Sequence, residues 1–377
     1  MQIRSPQRHR RYFLRASVFS LCFAAVWSVE AATYTWDPTM VPVVPLGGSG
    51  TWNLTTANWS TGLTDVVWTD TTGTSDIATL GGLAGTVTLN TSLGALGLVY
   101  NIEGYTLSGT GTITLGSNGI SDTALVIGTT TINNAIAIGG AQTWQASSGH
   151  TLAIGGNLSG TSLITQNGAG TVQLSGTNSG FSGGFKASNG TLTAASADAL
   201  GTGTVTISGG SLQTSVSNAN SGSIAMTSGS LTINSGGTLS LASGGGFTMS
   251  GGTWNINLAS LGSVTGAGTG NFAVTAGTFA LTNVSQGSFD LLAGFDVTGN
   301  TLGSAGNFTF TGLSAGQSAS LSTTNGVLKL TVVPEPATVA LATVSLLFLL
   351  VASKLDVLRA RTLCLDQANA RPRDLIR

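Results

Sequence analysis

Charge is scarce in this sequence: only 7% of its 377 residues are Asp, Glu, Lys or Arg. Between Ala32 and Val333 the cations are Lys186 and Lys329 alone, set against nine acids, and arginine is absent. Holding nucleic acid requires cations that replace phosphate counterions, so no nucleic-acid partner is expected. The two cysteines, Cys22 and Cys364, lie in the terminal segments, so the middle has neither a disulfide staple nor a thiolate. His150 is the single imidazole of the middle. Zinc needs more ligands, and a Ser-His-Asp triad needs that one ring in the right place. No Gly-x-Ser-x-Gly phrase opens a helix. Asp65, Asp70 and Asp76 fit no calcium loop and read as solvated turn residues. Asp290 and Asp296 are a conceivable carboxylate pair, but they lie in what reads as strand and turn. The expectation is a non-enzymatic chain with no catalytic, cofactor-binding or metal-ligating residues and no cofactor.

What the middle does contain is glycine and alternation. The chain has 55 glycines. A glycine-led phrase with period-two apolar residues recurs at Gly85 (GTVTL), Gly111 (GTITL), Gly170 (GTVQL) and Gly203 (GTVTI), and again at Gly229, Gly237, Gly252 and Gly277. Each predicts a short strand opened by a turn, with residues such as Val172 and Leu174 facing one way and Thr171 and Gln173 the other. The irregular spacing suits strands stacked rung upon rung rather than a meander with fixed loops. Positive mean hydropathy, +0.33, argues against a disordered linker.

Residues 168–192, GAGTVQLSGTNSGFSGGFKASNGTL, resemble the autotransporter-associated β-strand repeat. Gly170, Thr171, Leu174, Gly176, Asn178, Phe181, Gly183, Gly184, Gly190, Thr191 and Leu192 carry the likeness. The resemblance implies an all-β, right-handed parallel β-helix (solenoid), exported and often displayed at the surface. The repeats run straight into the C-terminal segment, so no room is left for a membrane barrel.

The two ends read as addresses. Residues 1–31 have a basic start (Arg4 to Arg15), an apolar stretch, and small residues for cleavage between Ala31 and Ala32, as in a signal peptide. Export by the Sec machinery is expected; Arg10-Arg11-x-Phe-Leu-Arg also matches a twin-arginine pattern. At the other end, Val333-Pro334-Glu335-Pro336 precedes the uncharged run 337–353 and the basic cluster Lys354, Arg359 and Arg361. Segment 333–361 resembles a PEP-CTERM sorting signal. The resemblance implies a transmembrane helix over 337–353 and processing by exosortase, a membrane protease-transpeptidase. Residues 362–377 extend beyond the usual end of such a signal.

Residues 32–80 hold Trp36, Trp52, Trp59 and Trp68. An aromatic cap over the first rung of a solenoid spanning 81–332 is one reading; a glycan-stacking platform is the other. Together these features lead to the expectation of a structural or adhesive protein of the cell surface or extracellular matrix, with surface polysaccharide as a partner. A carbohydrate-active β-helix protein and an unprocessed tail-anchored surface protein are the alternatives.

Overall fold

The computed structural model describes residues 31–40, 46–220, 222–234, 237–335, 344–357 and 359. Apart from Ala31, the expected signal peptide lies outside the described residues, as do Pro336, residues 337–343, Arg361 and the tail 362–377.

From Ala32 the chain forms an all-β solenoid of about nine turns. Every one of the eight glycine-led phrases lies in a strand. Their alternation is seen directly at Thr171–Leu174, where Val172 and Leu174 are buried and Thr171 and Gln173 are half-exposed. Parallel stacking then places like residues over like. Leu152, Val172, Leu192 and Leu212 stand in one register, continued by Leu231, Trp254, Phe279 and Phe310. A second face stacks Ile164, Phe185, Val205, Ile224, Phe247 and Phe272. On a third, Leu93, Ile113, Ile136 and Leu158 are in register. All but the half-buried Phe310 belong to one buried core. Each such side chain contributes about 1.5–3 kcal/mol on burial.

Where a strand is lacking, polar side chains bracket the turns. Asn178 is fully buried. Its Oδ1 accepts the Leu158 N–H at 2.7 Å, and its Nδ2 donates to the Ala199 carbonyl at 2.6 Å. One amide thus satisfies backbone groups of the turns before and after it, which buried backbone requires. The adjacent corner needs glycine twice. Gly184 has φ of 78°, and a Cβ on Gly183 would collide with the Ser162 carbonyl oxygen.

One expectation is corrected. The parallel pattern stops before residue 332: Val327–Pro334 pairs antiparallel with both Gly287–Ala293 and Gln317–Thr324. A stack of parallel strands leaves open edge groups at its end, and folding the chain back covers some of them. The transmembrane helix expected over 337–353 is not shown, and its residues 337–343 lie outside the described residues. The described helical residues are 344–357, and they include Lys354 and Asp356. Among the described residues no helix is long and apolar enough to cross a membrane.

Candidate functional site

The four tryptophans of the N-terminal region converge. Trp36, Trp52, Trp59 and Trp68 are all fully buried. Ring centroids lie 4.6 Å apart for Trp52–Trp59, 4.7 Å for Trp59–Trp68 and 5.0 Å for Trp52–Trp68. Trp36 reaches Trp59 at 5.2 Å. The strand Ala32–Trp36 runs parallel to Asp76–Leu80 and antiparallel to Trp59–Ser60, which ties the cluster to the first turns. With their rings enclosed, these residues present no face on which a sugar could stack.

The acids each have partners of their own. Asp70 is buried rather than solvated. Its Oδ1 accepts the N–H groups of Thr72 and Gly73, and its Oδ2 those of Ser75 and Asp76. Burial pushes the carboxyl up, but the four donors together outweigh it and hold its pKa below the ordinary carboxylate value. Asp76, also buried, is pushed up by desolvation and by the Asp70 charge. Asp290 sits opposite Lys329 in antiparallel register and binds its Nζ at 2.6 Å. Asp296 accepts from its own turn at Thr298. His150 is buried, with Nδ1 3.6 Å from Asp122 Oδ1. Among the described residues no three of His, Cys, Asp and Glu gather as metal ligands.

At the C-terminal motif, Val333 and Pro334 end the last strand, opposite Ser318 and Gln317. The Glu335 N–H donates to the Gly316 carbonyl at 2.8 Å. The side chains of Val333, Pro334 and Glu335 are exposed, and so are Lys354 and Arg359.

The exposed feature built by stacking is a row of hydroxyls. Thr129, Thr151, Thr171, Thr191, Ser211 and Ser230 occupy one register, followed by Thr253, Thr278 and Thr309. All are exposed or half-exposed. Ser211 and Ser230 share a hydrogen bond at 2.6 Å. Beside this row run Gln173, Thr193, Gln213, Thr232 and Asn255. Neither row carries a charge. Period-two alternation already marked Thr171 and Gln173 as outward-facing. The same rule applied to the phrase at Gly252 would have placed Asn255 and Asn257 there too.

No family model matches the chain, and no solved structure does. Similarity is found to an adhesin. The Adhesin BmaC autotransporter of Brucella suis biovar 1 (strain 1330) is 34% identical over 193 residues, which are 50% of this chain and 5% of that protein. The chain therefore spans a small part of the length of the relative it matches.

Proposed function

We propose that this chain is a non-enzymatic structural or adhesive protein of the cell surface or extracellular matrix. The observation that carries the reading is the uncharged row from Thr129 to Thr309, repeated once per turn on a stacked scaffold. A row of this kind makes many weak, equivalent contacts, and linked weak contacts gain strength through effective concentration. The likeness to an adhesin supports the same reading. Residues 1–31 would direct export through Sec or the twin-arginine route. The segment from Val333 would be read by an exosortase-type protease-transpeptidase, and surface polysaccharide is the partner proposed for the solenoid. Exposure of Val333, Pro334 and Glu335 is compatible with access by such an enzyme.

The test is fractionation and intact mass of the mature protein in its own host, with and without Glu335→Ala. A new C-terminus near Val333 in the surface or medium fraction, lost in the variant, supports sorting. A chain ending at Arg377 in the membrane fraction would remove the exosortase from the account. Turnover of a defined polysaccharide by the purified protein would sink the non-enzymatic reading.

A further inference from the structure

A groove interrupts the outward polar face near the sixth to eighth strands of the hydroxyl row. It has a volume of about 410 Å³, and its lining includes Thr232, Asn255, Asn257, Ser260, Ala280 and Thr282. Register explains the grouping. Thr232, Asn255 and Ala280 are successive members of one row, while Asn257 stands beside Thr282. Three turns therefore contribute side chains to one concavity, and Ser260, from the turn after Thr253–Asn257, adds to its lining.

We propose that this groove binds a linear, neutral polysaccharide lying along the solenoid axis. The chemistry of the lining selects the ligand class. It contains no Lys, Arg, Asp or Glu, so it offers no counter-charge to a phosphate, a sulfate or a uronic acid. Aromatic anchors, which protein interfaces favour, are absent from it too. Beside Ile233, Ile256 and Ala280, its polar groups are amides and hydroxyls, which both donate and accept. Part of that capacity is used internally: Asn255 Nδ2 donates to Thr232 Oγ1 at 2.9 Å, and Asn257 Oδ1 accepts from Ala259 N–H at 3.1 Å and from Asn283 Nδ2 at 3.0 Å. The Asn255 carbonyl oxygen and the Asn257 NH₂ group, together with the Thr232 and Ser260 hydroxyls, are left for a ligand rich in hydroxyls. Rungs repeat at ~4.8 Å, so a linear polymer meets a fresh set of amides and hydroxyls at each one. Without an aromatic platform each contact is weak, and length supplies the affinity.

This inference rests on the surface-adhesive reading but is tested apart from it. Affinity electrophoresis of the full chain through gels containing dextran, linear mannan, alginate or no polymer measures the binding. A high-mannose glycoprotein immobilised on a sensor distinguishes protein-linked glycans from free polysaccharide. Retardation by dextran or mannan and not by alginate is expected. Asn255→Ala should weaken it about tenfold, the loss of one or two hydrogen bonds. Ala280→Leu, which fills the groove without removing a hydrogen bond, should weaken it similarly, while Thr193→Ala on the same face should not. Melting curves establish that the variants are folded. Retardation by neither neutral polymer, preference for alginate or for the glycoprotein, or full retardation of both groove variants would overturn the proposal. Groove-dependent retardation would stand even if the protein were found inside cells, so the two readings fail separately.

Discussion

The solenoid begins and continues by different means. At its N-terminal end, residues 32–80, four indoles are packed together and one carboxylate gathers four backbone N–H groups. In the turns from Thr151 to Ala194 the core is mainly aliphatic, with one pair of rings, Phe181 and Phe185, and the amide of Asn178 brackets neighbouring turns. A middle turn is covered by its neighbours on both sides. Among the described residues the first turn has a neighbouring turn on one side only, and the four indoles fill its other side.

Trp59→Ala should show the largest effect, because Trp59 touches Trp36, Trp52 and Trp68. Removal of a buried Trp side chain costs about 3–5 kcal/mol. Amide exchange should quicken first in Ala32–Trp36 and Asp76–Leu80, since stability in a stacked protein spreads by neighbour contacts. Equal loss of protection in Thr171–Leu174 would show that the end and the middle are one cooperative unit. Trp59→Phe sharpens the test. The Trp59 indole N–H is buried without a partner, so this change removes an unpaired donor along with some volume and should cost far less.

Next in size is Asn178→Ala. It leaves the Leu158 N–H and the Ala199 carbonyl without their partner. Each orphaned buried group costs about 1–3 kcal/mol. Denaturant melts should shift, and exchange at the Leu158 amide should rise most. A shift no larger than that of a surface substitution would mean that water or a neighbouring group replaces the amide.

Much of this contrast was legible in the sequence. Alternation at Gly170 assigned inward and outward residues, and stacking follows from it. Clustering of Trp36, Trp52, Trp59 and Trp68 marked the N-terminal end as distinct. Three things were hidden. Asp70 looked like a solvated turn residue because its partners are backbone N–H groups, which every sequence has. The approach of His150 to Asp122 was hidden because the two are distant in the chain and are brought together by register. The antiparallel closure after Gly287 was masked because Val327–Pro334 has the same alternation as a parallel strand.

pH separates two buried carboxylates by sign. The Asp70 pKa is lowered in the fold, so its contribution is present above the ordinary carboxylate value of 3.8 and is lost as pH falls through the folded pKa. Asp122, one of the carboxylates of the core, is shifted the other way. Burial raises its pKa, and the Ala124 N–H and the His150 ring offset only part of this. Its stabilising term is complete below 3.8 and disappears as pH rises through the folded pKa. Asp70→Asn should therefore flatten the acid limb of a Tm-against-pH curve, while Asp122→Asn should raise Tm at neutral pH. If both variants lower Tm equally at pH 7 and neither changes the curve's shape, the contrast is broken.

The smallest expected effect lies on the outward row. Thr191 is half-exposed and stands between Thr171 and Ser211. Thr191→Ala removes one hydroxyl from a row that repeats at every turn and touches neither the aliphatic core nor the Asn178 bracket. Its cost should fall within about 0.5 kcal/mol, as for ordinary surface positions. If the row works by many equal contacts, the single substitution should also leave polymer retardation nearly unchanged. Replacing Thr151, Thr171, Thr191 and Ser211 together should then reduce retardation by more than four times the single effect, with Tm still close to that of the parent. A stability loss as large as that of Asn178→Ala would instead make the outer row part of the scaffold, and the difference between the inside and the outside of a turn would have to be drawn elsewhere.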